Sequence, residues 1–215
     1  MTKAVIFDLD GTLIDSLPDI LANVNNALVH FGYKPCTRAS LMPFIGYGPK
    51  VLLKGAMGGK VTDEQVEECR KYYNSIYTNK PYEFTTLYDG IESVIKTLKE
   101  RGYKIALLTN KPQMTTDKVY ESMLSHLGID VYLGGTERFL PKPDGESTLY
   151  LLELLGVSKE NAYLVGDGDT DYLTAVNAGV NGISVLWGYR TKSQLEELGA
   201  KVFVNNPKEL LDILA

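Results

Sequence analysis

The sequence predicts an α/β fold, a doubly wound parallel sheet covered by helices on both faces, with an all-helical insertion near its start. Three observations carry that reading. Four apolar residues at 4–7 read as a strand buried on both faces, and the run stops at two carboxylates, Asp8 and Asp10. From residue 91 onward, helix-period segments alternate with short, near-continuous apolar ones, the pattern of parallel strands joined by crossover helices. Between these two regions, residues 16–80 show helical periodicity alone.

Taken in order, the first strand runs into Gly11, which can make a sharp turn closed to other residues. Ser16 is then placed to cap a helix with Pro18 in its first turn, and Leu17, Ile20, Val24 and Leu28 recur at helical spacing up to Gly32. Short helices are expected at 39–44 and 50–57. Thr62 and Gln65 fit a capping box opening a longer helix to about Tyr77. Beyond Gly90, helices are expected at 91–101, 113–127, 146–155, 171–178 and 192–198, and strands at 104–109, 131–133, 162–165, 183–186 and 202–204. The core is therefore expected at 1–15 and 81–215, the insertion at 16–80, and hinges near Ser16 and Pro81.

The chain has 215 residues, 44% hydrophobic and 23% charged, which is ordinary for a globular protein. No basic stretch precedes a long apolar segment and no membrane-spanning run occurs, so a cytoplasmic location is expected. Cys36 and Cys69 lack metal-ligand spacing and are read as reduced thiols. A net charge of −5 argues against nucleic acid as a partner. Residues 16–80 hold eight basic and five acidic side chains, +3, which leaves −8 for the rest. That imbalance would draw an anion toward the acidic motifs.

In an open α/β sheet, ligands bind beyond the carboxyl ends of the strands. Polar residues collect at those ends: Asp8 and Asp10 after the first strand, Thr109 and Asn110 after the second, and Asp167, Asp169 and Asp171 after the fourth. Lys142 lies in a Pro-Lys-Pro loop. Each alone reads as a turn, a helix cap or a surface lysine. Together they suggest a site. Carboxylates gathered within about 4 Å repel by about 4 kcal/mol per pair at a surface-like dielectric, so the cluster calls for a cation, and hard oxygen ligands suit magnesium. A calcium loop is excluded because Tyr172 and Ala178 stand where Gly and Glu are required, and residues 55–61 lack P-loop spacing. His30 and His126 have no nucleophile motif beside them and are read as structural.

Phe7-Asp8-Leu9-Asp10-Gly11-Thr12-Leu13, Leu108-Thr109-Asn110, Lys142-Pro143 and Gly166-Asp167 with Asp171 resemble the four ordered motifs of the haloacid dehalogenase superfamily. Within it, Asp15-Ser16-Leu17-Pro18-Asp19-Ile20, Ile45-Gly46-Tyr47-Gly48 and Gly188-Tyr189 are similar to the phosphoglycolate phosphatase-like branch. Gly168 stands where that branch commonly has Ser, and Asp144-Gly145 where it has a small residue and Pro. The resemblance implies a Rossmann-like core with a helical cap. It also implies magnesium held by Asp8, Asp10 (through its carbonyl), Asp167 and Asp171. Asp8 would be the nucleophile, Asp10 the acid and base, and Thr109, the Asn110 amide and Lys142 the phosphoryl ligands.

The implied activity is hydrolysis of a small phosphorylated metabolite through an aspartyl-phosphate. A sugar-phosphate mutase of the β-phosphoglucomutase type, a pyrophosphatase and a nucleotidase stay open at this point. A binding protein that has lost turnover is disfavoured, because every catalytic residue type is present. Gly46 and Lys50, with Tyr47 and Lys54, are expected to close over the site and offer cations to a second anionic group. Whether the protein is a monomer or a homodimer is open.

Overall fold

The computed structural model describes residues 2–79 and 82–215. The first strand, β1 (Ala4–Phe7), has no exposed residue, as expected of a strand covered on both faces. It is followed by β2 (Ile14–Asp15) and by helices α1 (Leu17–His30), α2 (Arg38–Leu41), α3 (Pro49–Ala56) and α4 (Asp63–Asn79). The chain returns through β3 (Thr86–Leu87) and α5 (Ile91–Glu100) to β4 (Lys104–Pro112), α6 (Gln113–Val119), β5 (Val131–Gly135) and α7 (Glu146–Leu155). It finishes with β6 (Ala162–Gly166), α8 (Asp169–Ala178), β7 (Asn181–Val185), α9 (Lys192–Glu197), β8 (Phe203–Val204) and α10 (Leu210–Ile213).

Six strands form a parallel sheet in the order β5-β4-β1-β6-β7-β8. The chain runs outward from β1 to β5 and then returns to β6 on the other side of β1, so strand order reverses between β1 and β6. That is where a ligand crevice belongs. Period-two alternation splits the core between the two faces: Val5, Phe7, Ile105 and Leu107 pack with α5, and Ala4, Ile6, Ala106 and Leu108 pack with α7. A third apolar cluster joins Leu17, Val24 and Leu28 of α1 to Leu53 of α3 and Val66, Cys69 and Tyr73 of α4. Fully burying such a side chain stabilises the fold by about 1.5–3 kcal/mol. Cys36 and Cys69 are free thiols.

Four details differ from the sequence expectation. Ser16 makes no side-chain cap on α1. Instead the Tyr189 hydroxyl accepts the backbone N–H of Ser16 and of Leu17, each at 3.1 Å. The strand expected to end at Thr109 runs to Pro112, with a register irregularity between Leu108 and Pro112. The helix expected at 113–127 is α-helical only to Val119; it widens to a π turn over Tyr120–Leu124 and tightens to a 3₁₀ turn over Ser125–Leu127. The wider turn lays Tyr120 against Tyr132 of β5, ring centroids 4.2 Å apart. Finally, β2 and β3 pair antiparallel, too short a ladder for a periodicity to reveal, and tie together the chain entering and leaving the helical insertion. The Thr62–Gln65 capping box is present in both directions. The expected boundary at Lys80 and Pro81, and the hinge near Pro81, lie outside the described residues. Among the described residues no helix is long and apolar enough to cross a membrane.

Candidate active site

Asp8 continues β1 by donating its N–H to the Val165 carbonyl of β6 at 2.9 Å, which fixes its side chain at the switch point. Carboxylate oxygens of Asp8, Asp167 and Asp171 lie within 4.8 Å of one another, and all three residues are buried. Lys142 enters from the loop before α7 and donates to Asp8 Oδ1 at 2.7 Å, Asp171 Oδ1 at 2.5 Å and the Leu108 carbonyl at 3.2 Å. Three carboxylates facing one ammonium leave the cluster negative. Its oxygen donor set and residual charge fit a hard divalent cation such as magnesium.

The charges respond accordingly. Burial pushes the Asp8 carboxyl well above its usual range, Asp171 and Asp167 push it further, and Lys142 pulls it back. Burial, then Asp171, raises Asp167 to about 7 against the Tyr189 N–H, which Asp167 Oδ2 accepts at 2.6 Å. Burial acts to lower Lys142, but Asp171 and Asp8 outweigh it and raise its value. A buried ammonium so held stays charged.

Glycines make room for this cluster. Gly11 has φ +96°, and a Cβ there would come within 2.6 Å of Asp167 Oδ2. One on Gly188 would come within 2.3 Å of the Asp167 Cβ. Gly168 caps α8 through its N–H, which Asp171 Oδ2 accepts at 2.9 Å.

The other expected residues fall into three places. Thr109, Asn110 and Gly46 lie beside the cluster, and the irregular end of β4 delivers the first two. Asn110 commits its side chain to scaffolding: Nδ2 donates to the Gly46 and Lys142 carbonyls at 2.8 and 3.0 Å, and Oδ1 accepts the Lys142 N–H at 2.7 Å. Its side chain is therefore fully used within the protein. The Asp10 carboxylate stands apart from the three acids; it accepts from Ser16 Oγ at 2.5 Å and from Lys111 Nζ at 2.8 and 3.0 Å. Lys50 is on the exposed side of α3, 3.7 Å from Asp63, which Lys54 also approaches at 3.3 Å.

Sequence reasoning passed over Lys111, Tyr77 and Arg190. Lys111 follows Thr109-Asn110 directly, two residues beyond the expected end of the strand at Thr109. Arg190 donates to the Met42 and Ile45 carbonyls at 2.9 Å each and pairs with Asp169 at 3.2 Å, while Tyr47 donates to Asp169. A narrow cavity of about 50 Å³ opens beside Asp8 and Asp10, walled by α1, α3 and α4 on the far side.

The family model for haloacid dehalogenase-like hydrolases matches residues 5–185. The chain belongs to that family. Phosphoglycolate phosphatase 1 of Pseudomonas aeruginosa is 31% identical over 216 residues, covering 98% of this chain and 79% of that protein. The phosphoglycolate phosphatase of Aquifex aeolicus is 30% identical over 213 residues, covering 99% and 96%. Among solved structures, that of a predicted phosphoglycolate phosphatase from Haemophilus somnus superimposes with a TM-score of 0.88 at 25% identity, covering 100% of this chain and 98% of that one. The chain is a phosphatase of this family, a phosphoric monoester hydrolase.

Proposed function

We propose that the protein hydrolyses a small phosphomonoester of the 2-phosphoglycolate type through an aspartyl-phosphate on Asp8, with magnesium as cofactor. The observation that carries this reading is the convergence of Asp8, Asp167 and Asp171 on one another at the switch point, with Lys142 pairing Asp8 and Asp171. The narrow cavity beside them supports a small leaving group, and the named activity of the relatives supports its chemistry.

An Asp8 carboxylate oxygen attacks phosphorus as the bond to the leaving oxygen breaks, and Asp10 gives that oxygen a proton. Asp10 then takes a proton from the water that attacks phosphorus, which frees Asp8 and phosphate. Lys142 keeps positive charge beside Asp8 and the transferring group, and Thr109 and the Asn110 N–H hold phosphoryl oxygens. Asp8, Asp167, Asp171 and the Asp10 carbonyl would hold magnesium, which when bound offsets the repulsion between nucleophile and phosphate. Residues 16–80 act as a cap over 1–15 and 81–215, excluding water from the phosphoryl group. The protein would act in the cytoplasm.

The test is a panel of phosphate esters assayed with magnesium and with a chelator. Asp8→Asn should lower turnover by about a thousandfold or more, and Asp10→Asn by about 10²–10⁴-fold. Unchanged activity in Asp8→Asn would remove the nucleophile assignment. Isomerised sugar phosphate without free phosphate would point to a mutase.

A further inference from the structure

Lys111 is a buried cation to which the phosphoryl chemistry above gives no contact with substrate; its ammonium donates to both oxygens of Asp10, at 2.8 and 3.0 Å. Its ammonium carries only 4% side-chain exposure and sits at the end of β4 in the wall of the cavity that also exposes Asp8. The opposite wall is apolar, with Ile20, Ile45, Leu52 and Tyr73. Among the described residues lining this cavity, Lys111 alone is cationic. Lys111 pairs with Asp10, as the other cations near the site pair with acids of their own: Lys142 with Asp8 and Asp171, Lys50 and Lys54 with Asp63, and Arg70 with Glu67.

Lys111 is also presented on a built support. Tyr77 of α4 accepts from its ammonium at 2.9 Å, and the ammonium lies 4.8 Å from the centre of that ring. Burial keeps the Tyr77 hydroxyl protonated, and Asp10 raises it further. Its own hydrogen makes no bond among the described residues, so it is left to donate. The Tyr77 hydroxyl, polarised by the Lys111 ammonium, can donate to an anion in this cavity, whose other charged lining residues are Asp8 and Asp10. Asp8 and Lys111 line the same cavity.

We infer that Lys111, supported by Tyr77, reads a carboxylate on the leaving-group side of the substrate and so sets specificity. The inference deepens the phosphoglycolate-type reading and rests on it. The test compares kcat/KM of the full chain, with magnesium, for 2-phosphoglycolate and for 2-hydroxyethyl phosphate, which has the same length and a neutral end. Using the ratio of the two cancels any loss that reaches both substrates through Asp10.

Lys111→Met should lower that ratio by about thirtyfold or more, the loss expected when a charge-assisted hydrogen bond goes. Lys111→Arg should keep most of the preference. Tyr77→Phe, which leaves the ion pair with Asp10 intact, should lower the ratio by a smaller factor, and it carries the test if Lys111→Met does not fold. A wild-type preference that survives in Lys111→Met and Tyr77→Phe overturns this inference alone. A wild-type enzyme that treats both esters alike overturns both the inference and the phosphoglycolate-type reading. A preference for a different anionic leaving group that disappears in Lys111→Met keeps the role of Lys111 and overturns the named substrate.

Discussion

Asp167 has burial and Asp171 pushing its proton affinity up, and its folded value of about 7 lies above the ordinary carboxylate range. The folded metal-free protein therefore holds a proton there that the unfolded chain releases near pH 4. Stability from this group is complete below the unfolded value and is lost as pH rises through about 7. A divalent cation held by the same acids would take the place of that proton. Magnesium should accordingly raise the melting temperature clearly at about pH 8 and much less at about pH 5.5, where protons compete for the site. Equal increments at both pH values would mean that the three acids do not bind the ion. These acids were legible in the sequence because Asp-x-Asp after an apolar strand and a second acid cluster after another are rare by chance. Lys111 was not, because a buried lysine and a surface lysine are the same letter.

At the scale of the element, the start of α1 shows how a local rule loses to a distant contact. A serine at the first turn is an ordinary cap signal, yet Ser16 Oγ donates to Asp10 and the helix N–H groups go to Tyr189. The same helix holds Asp19, whose Oδ2 accepts from the N–H of Phe84 and of Thr85 at 3.1 and 2.7 Å, just before β3. Tyr189→Phe removes the acceptor for two helix N–H groups and should cost about 1–2 kcal/mol in urea unfolding. If that change is neutral while Ser16→Ala is costly, the cap belongs to the serine. The irregular end of β4 is a second case: Gly135 of β5 would put a Cβ 3.2 Å from the Asn110 carbonyl, so a glycine there lets the bulged segment approach. Strand content was readable from apolar runs. The bulge was not, since it depends on a neighbouring strand.

Across the whole molecule, three side chains from the ends of different strands seize one stretch of the insertion. Asn110 holds the Gly46 carbonyl, Asp169 takes the Tyr47 hydroxyl, and Arg190 donates to the carbonyls of Met42 and Ile45. Their joint effect is to close the helical layer over the carboxyl edge of the sheet. Arg190→Ala removes two of these bonds and one of the two partners of Asp169, so amide exchange over residues 42–57 should accelerate by about tenfold while β1 stays protected. If exchange there is unchanged, packing of the insertion on itself holds it, not the latch.

The sequence by itself determined the sheet, its run of helices between β2 and β3 and the polar residues at three strand ends and in the Lys142 loop, because burial and chemistry write short-range patterns of apolar period and residue type. Tertiary structure alone decided which carboxylates gather with Lys142 and which one faces Lys111, which hydroxyl caps α1, and how the insertion is latched. Those outcomes depend on distances between residues as far apart in the chain as Ser16 and Tyr189, and no local period encodes them.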